Sequence, residues 1–200
     1  MSLFILGIGG TTRPNSSIEK ALRVSLAAAA REGAETRLLG SVDLALPLYA
    51  PENPERTPEA KNLITQVRRA DGLIIGSPGY HGTVSGLVKN ALDYVEDLSK
   101  DERPYFDERA VGCIAISYGW QAAVSTLGTL RVIVHALRGW PTPMGAAVGS
   151  VVPIFDVEGN CTDVSATFQL ETMGRQVVEF ARMRRAAGRP GSNGEAAPAT

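Results

Sequence analysis

Only two cysteines occur in the 200 residues, Cys113 and Cys161, with no CxxC and no other ligand-spaced cluster around them. That scarcity argues against a disulfide framework and against a metal centre. The pair reads as one core thiol and one loop thiol in a reducing compartment. Charge of one sign is also missing, since 20 basic residues stand against 21 acidic ones for a net charge of -1. Binding along a nucleic-acid backbone needs a clustered basic excess, so nucleic acid is not expected as a partner. No apolar run approaches the ~20 residues of a membrane span. Residues 1–8 have neither a basic n-region nor a cleavage site, so no signal peptide is expected and the location reads as cytoplasmic. Two catalytic signatures are absent as well: the P-loop GxxxxGK(S/T) and the GxSxG nucleophile elbow.

What the sequence does contain is an alternation of short apolar runs with helical spacings. Strands are expected over residues 3–8, 35–39, 72–76, 110–117 and 142–148. Between and after them, helices are expected from Ser16 or Ser17 to about residue 32, then over 57–70, 84–97, 121–138 and 166–185. Thr57-Pro58 fits an N-cap followed by proline at the first helical position, and Gly33 fits a helix stop. This pattern predicts an α/β domain over 1–185, with a five-stranded parallel sheet covered on both faces. Residues 186–200, rich in Gly, Pro, Ala, Ser and Asn, read as a disordered tail.

In such a sheet a ligand sits at the carboxyl ends of the strands, near the switch point. Three loops should meet there. After the first strand comes Gly9-Gly10-Thr11-Thr12-Arg13-Pro14-Asn15-Ser16-Ser17, entering a helix. Glycines allow close approach, hydroxyls and helix N-terminal amides donate, and Arg13 adds a charged fork, which together suit a phosphate monoester. A dinucleotide fingerprint fails there, because position 12 is Thr and the second strand ends without an acidic ribose ligand.

After the third strand comes Gly76-Ser77-Pro78-Gly79-Tyr80-His81-Gly82-Thr83-Val84-Ser85-Gly86. A strand end with this much bare backbone suits a flat, polar-edged ring, which points to a flavin. After the fourth comes Ser117-Tyr118-Gly119-Trp120, which suits the pyrimidine side of a flavin or its ribityl chain. Trp120 either flanks a ring or starts the next helix and packs on the core.

Together these motifs make the sequence resemble the NAD(P)H-dependent FMN reductase family of flavodoxin-like proteins, across roughly residues 3–185. The most specific match runs from Ser77 through Lys89-Asn90-Ala91-Leu92-Asp93. The resemblance implies a flavodoxin-like three-layer sandwich with strand order 2-1-3-4-5. It implies FMN as cofactor, NADPH or NADH as co-substrate, and a homodimer or homotetramer. Carried over by position, Thr11, Arg13, Ser16 and Ser17 are the phosphate ligands, with Ile18 where relatives commonly carry Asn. Pro78, Gly79, Tyr80, His81 and Gly82 are the isoalloxazine loop, and Ser117, Tyr118 and Gly119 the third wall. Relatives often carry an acidic or other polar residue where Gly79 stands, and a Gly-Gly pair where Gln121-Ala122-Ala123 follows here.

Hydride transfer to a flavin needs little acid–base help, so no catalytic side chain is required. His81 is a weak acid–base candidate that reads better as a loop-shaping residue, and His135, mid-helix among apolar neighbours, reads as core or interface. The last-turn arginines Arg182, Arg184 and Arg185 read as a solvated face. Three functions are compatible with this reading. One is an NAD(P)H:FMN oxidoreductase passing reduced flavin to a monooxygenase or another acceptor. A second is an FMN-retaining quinone, azo-dye or metal-oxyanion reductase, and a third is a flavodoxin-like electron carrier. The near-neutral charge counts against the carrier.

Overall fold

The apolar run near the start of the chain becomes β1 (Phe4–Gly9), every residue of it buried. The computed structural model describes residues 2–188. β1 lies between β2 (Glu35–Leu39) and β3 (Gly72–Tyr80), parallel to both, with Ile5 opposite Thr36 and Gly72. β3 also pairs in parallel with β5 (Ala110–Ser117), after a two-residue strand, β4 (Thr83–Val84), that folds back antiparallel on its end. The expected fifth strand is interrupted. It forms as β6 (Trp140–Pro141) and β7 (Ala146–Gly149), both pairing with β5. Pro143 has no N–H to give to a ladder, and the Thr142 hydroxyl turns to the Met144 carbonyl at 2.6 Å. The main path is β2-β1-β3-β5-β6, which reproduces the expected order once β4 is set aside.

Alternation along the strands sorts side chains onto two faces, as the two-residue period requires. Phe4, Leu6, Ile8, Leu73, Ile75, Val111 and Cys113 face one core, with α2 (Pro58–Arg69), α3 (Gly86–Asp93) and α4 (Trp120–Ala136). Ile5, Ile74, Ile114 and Ile116 face the other, with α1 (Ser17–Arg31) and α5 (Val164–Ala187). Burial pushes the Cys113 thiol up to about 12, which leaves it protonated and inert.

Several boundaries differ from the sequence expectation, each for a local reason. The helix expected over 84–97 begins later, because Ser85 is its N-cap and accepts from the Val88 N–H at 3.3 Å. It then tightens into a 3₁₀ turn, Tyr94–Leu98, whose three-residue period stacks the buried Val95 and Leu98. On α4 the buried stripe is Ala123, Thr126, Leu127, Leu130 and Val134, so Val124 lies outside it. His135 is exposed, which corrects its reading as a core residue. α5 takes in Ala186 and Ala187 from the expected tail, and residues 189–200 of that tail lie outside the described residues. Its last-turn arginines are paired rather than simply solvated, Arg182 with Glu32, Arg184 with Glu108 and Arg185 with Asp71. No helix among the described residues is long and apolar enough to cross a membrane.

Candidate functional site

β1, β3 and β5 end side by side, and one cleft of about 530 Å³ opens at their carboxyl ends. That volume is in the range of small-molecule sites. Its first wall is the loop from Thr11 into α1, its floor is Pro78–Gly79–Tyr80, and its third wall is Ile116, Ser117 and Tyr118. Ser150, just past the end of β7, closes it.

The first wall is built around the start of α1. Ser16 is the N-cap, and its hydroxyl accepts from the Glu19 N–H at 3.4 Å. The next N–H groups, those of Ser17 and Ile18, have no carbonyl to donate to within the helix. The dipole adds partial positive charge at the same place. Arg13, exposed, lines the cleft beside them. Thr11 is differently employed. Its hydroxyl accepts from the Arg13 N–H and donates to the Arg13 carbonyl, both at 3.1 Å, so it shapes the turn that presents Arg13. Ile18 buries its side chain in the core, and the residue also borders the cleft.

The floor is a β-hairpin. His81 and Gly82 both have positive φ, 51° and 84°, so they form the two-residue turn between Tyr80 and Thr83. His81 is exposed on that turn, and neither it nor Gly82 lines the cleft. The buried Ser77 hydroxyl ties the hairpin down by donating to the Pro78 carbonyl and accepting from the Ser85 N–H, both at 2.9 Å. Two glycines read from sequence as bare backbone for a ligand also have packing reasons. A Cβ on Gly76 would sit 2.9 Å from Ile18 Cγ2, so this glycine lets α1 close onto the sheet. A Cβ on Gly79 would sit 2.8 Å from the unpartnered Thr126 hydroxyl and 3.0 Å from the Ser117 Cβ. This glycine lets α4 and β5 press against the floor. Ser117 in turn donates to the Gly79 carbonyl at 3.0 Å, joining floor to third wall.

Ten of the thirteen residues expected from sequence therefore surround one cleft: Thr11, Arg13, Ser16, Ser17, Ile18, Pro78, Gly79, Tyr80, Ser117 and Tyr118. His81, Gly82 and Gly119 lie beside it. Trp120 begins α4 and is 62% exposed, packing neither in the core nor in the cleft. Sequence reading missed Pro14, Asn15, Ile116 and Ser150 in the lining. Ser150 follows the last strand of the sheet, where the rule that strand ends make the site also places a lining residue.

It also missed Glu19, which is 3% exposed behind the first wall. Burial raises its pKa, but hydrogen bonds from Ser41 and Asn15 and the Arg23 charge together outweigh burial and hold it below the usual glutamate range. A depressed carboxylate stabilises the fold fully above its unfolded pKa, and that contribution fades as pH falls through the folded value. Urea melts should accordingly lose stability more steeply from about pH 5 to about pH 3 in the native protein than in Glu19→Gln. Equal slopes would show that Glu19 contributes nothing on the acid side.

The cleft lining contains no carboxylate, histidine, lysine or cysteine. Among the described residues its titratable side chains are Arg13, Tyr80 and Tyr118. A sequence profile of the family described as NADPH-dependent FMN reductase matches residues 3–151. The chain belongs to the NADPH-dependent FMN reductase family.

Among curated members, an NADPH azoreductase of a Bacillus species is 38% identical over 87 residues, 43% of this chain and 46% of that protein. An FMN-dependent NADPH-azoreductase of Staphylococcus aureus is 43% identical over 83 residues, 42% of this chain and 40% of that protein. The chain thus aligns with less than half the length of either curated relative. The NAD(P)H:(acceptor) oxidoreductase FerB of Paracoccus denitrificans superposes with a TM-score of 0.73 at 16% identity, over 90% of this chain and 98% of that one. A flavodoxin, WrbA-like protein of Agrobacterium tumefaciens gives 0.61 at 16% identity, over 91% and 99%. The fold is therefore flavodoxin-like.

The residues of this FMN reductase family member fit FMN. The amides of Ser17 and Ile18 with Arg13 offer an anion cradle at one end of the cleft. The Pro78–Tyr80 backbone and Ser117 offer a flat, polar-edged bed at the other.

Proposed function

We propose that the cleft binds FMN and that the protein is an NAD(P)H-dependent flavin oxidoreductase, with NADPH the nucleotide favoured by the family. The observation that carries the reading is the meeting of an anion cradle and a flat polar bed in one cleft. FMN when bound supplies the hydride-accepting chemistry, and the protein's part is to bind, orient and limit access. Ser17, Ile18 and Arg13 hold the phosphate and so fix the register of the ring. Pro78 and Gly79 support the ring from below, and Ser117 stiffens that support through the Gly79 carbonyl. Exposed Tyr80 and Tyr118 line the opening and offer faces for a second planar reactant.

The test is anaerobic addition of NADPH to protein with FMN. Steady bleaching of the flavin absorption, catalytic in protein, is the expected result. An FMN complex that NADPH does not reduce would identify an electron carrier instead. Absence of FMN binding would overturn the reading altogether.

A second reading, in which FMN stays bound and azo dyes or quinones are reduced, is favoured by the azoreductase relatives and by the aromatic rim. Desalting separates the two, since a retained yellow colour supports the second and its loss supports delivery of free reduced flavin to a partner such as a monooxygenase. Self-association is part of the proposal. α4 leaves Trp120, Val124 and Val132 exposed, and Trp140 is exposed near its end.

A further inference from the structure

Among the buried ionisable groups to which the FMN reading gives no role, Glu19 lies directly behind the phosphate wall. One carboxylate oxygen of Glu19 accepts from the Asn15 N–H at 2.9 Å and from the Arg23 guanidinium at 3.3 Å. The other accepts from the Ser41 N–H at 2.8 Å. Asn15 lines the cleft and Ser41 belongs to the turn after β2, so a single carboxylate ties the first wall to the neighbouring loop. Two glycines make room for it. A Cβ on Gly10 would lie 3.2 Å, and one on Gly40 2.9 Å, from the same Glu19 oxygen.

Asn15 is the point where this tie acts. It holds φ at 58°, in the left-handed region where asparagine is found more often than most non-glycine residues, and its N–H bond to Glu19 fixes that choice. Its N–H is directed to Glu19 rather than to the cleft, and the chain then turns so that Ser16 caps α1 and Ser17 and Ile18 lead into it. The amides that remain for an anion are therefore those whose direction depends on the Asn15 conformation.

We propose that Glu19 is a positioning residue for the phosphate of FMN: by fixing Asn15 from behind, its carboxylate aims the Ser17 and Ile18 amides into the cleft. The inference rests on the FMN reading of the cleft. It has a definite sign, because charge alone predicts the opposite. A carboxylate near a phosphate repels it, so removing the charge without any positioning effect would tighten binding. Glutamine keeps the size of Glu19 but presents an NH₂ to one of the two backbone N–H groups, which breaks the tie at Asn15 or at Ser41.

The experiment is a flavin-fluorescence titration of native protein and Glu19→Gln with FMN and with riboflavin, which has the same ring and no phosphate. The expected result is an FMN affinity lower by roughly tenfold or more, with riboflavin affinity changed less than about twofold. Hydrogen exchange in the flavin-free variant should also show faster exchange at Asn15. Gly40→Ala supplies an independent variant that touches no cleft residue. Its methyl group crowds the Glu19 carboxylate out of place and should give the same FMN-selective loss. FMN affinity unchanged or increased in both variants would overturn the proposal, and so would equal losses for FMN and riboflavin. If the native protein bound neither flavin, the FMN reading itself would fall, and the positioning role with it.

Discussion

Replacing Arg109 with methionine should cost the fold about 3 kcal/mol, while the folded fraction keeps its flavin affinity. Arg109 is 1% exposed just before β5, and among the described residues no carboxylate is hydrogen-bonded to it. Its guanidinium donates instead to three carbonyls, those of Ala70 at 2.9 Å, Tyr105 at 2.6 Å and Arg68 at 3.0 Å. Two of these belong to the end of α2, where the helix leaves its last carbonyls without partners and carries partial negative charge. Burial, with repulsion from Arg103, pushes the Arg109 pKa down to about 9, and the group is still charged at neutral pH. Methionine fills similar space but offers no donors. Arg103, which also donates to the Ala70 and Arg68 carbonyls, covers part of the loss. Each buried carbonyl left alone costs about 1–3 kcal/mol. Urea denaturation measures the difference, and a loss below about 1 kcal/mol would show that Arg103 and water replace Arg109 fully. Flavin affinity is unaffected because β5 carries Arg109 just before its first residue and the cleft just past its last.

The second large effect is expected at the cleft. Arg13→Ala should weaken FMN binding by about 1.5–3 kcal/mol, roughly 10- to 150-fold, and leave riboflavin binding unchanged. Arg13 lines the anion end of the cleft, and among the described residues its side chain forms no salt bridge that would have to be released first. Its backbone N–H is held by Thr11, so the alanine variant keeps the loop shape and removes the charge alone. Arg13→Lys should fall between the two, because it restores charge without the planar fork. The loss should shrink as salt is added, since an exposed cation acts through screened attraction. Comparable losses for FMN and riboflavin would mean that Arg13 supports the ring rather than the phosphate.

The alternation of elements was legible because each strand is a short apolar run and each helix has a buried stripe. The layer order was legible too. The site was legible in outline for a topological reason: a parallel sheet brings the ends of its strands together whatever lies between them. What the sequence does not reveal is why a given residue is there. Gly76 and Gly79 looked like backbone left bare for a ligand; packing of α1, α4 and β5 also requires both, and Gly79 lines the cleft as well. A pattern of glycines cannot distinguish close approach by a ligand from close approach by another helix. His81 illustrates the same limit, because a residue inside such a loop can be its turn and lie outside the cleft lining. Pro143 was visible in sequence, yet its effect on the last strand depends on which neighbour needs an N–H at that register.

Glu19 was legible and still missed. Ser16 and Glu19 stand three apart at a helix start, the spacing of a capping box. In that motif the glutamate would bond back to the N-cap N–H. Here it reaches one residue further, to Asn15, and across to Ser41. That second contact links residues 22 apart in sequence and only the fold brings it about.

A crystal structure of the protein with FMN tests the central claim most directly. The account predicts the phosphate within hydrogen-bond distance of the Ser17 and Ile18 amides and of Arg13, with the ring lying on Pro78–Tyr80. FMN bound in another cleft, or bound here with its phosphate turned away from the start of α1, would contradict it.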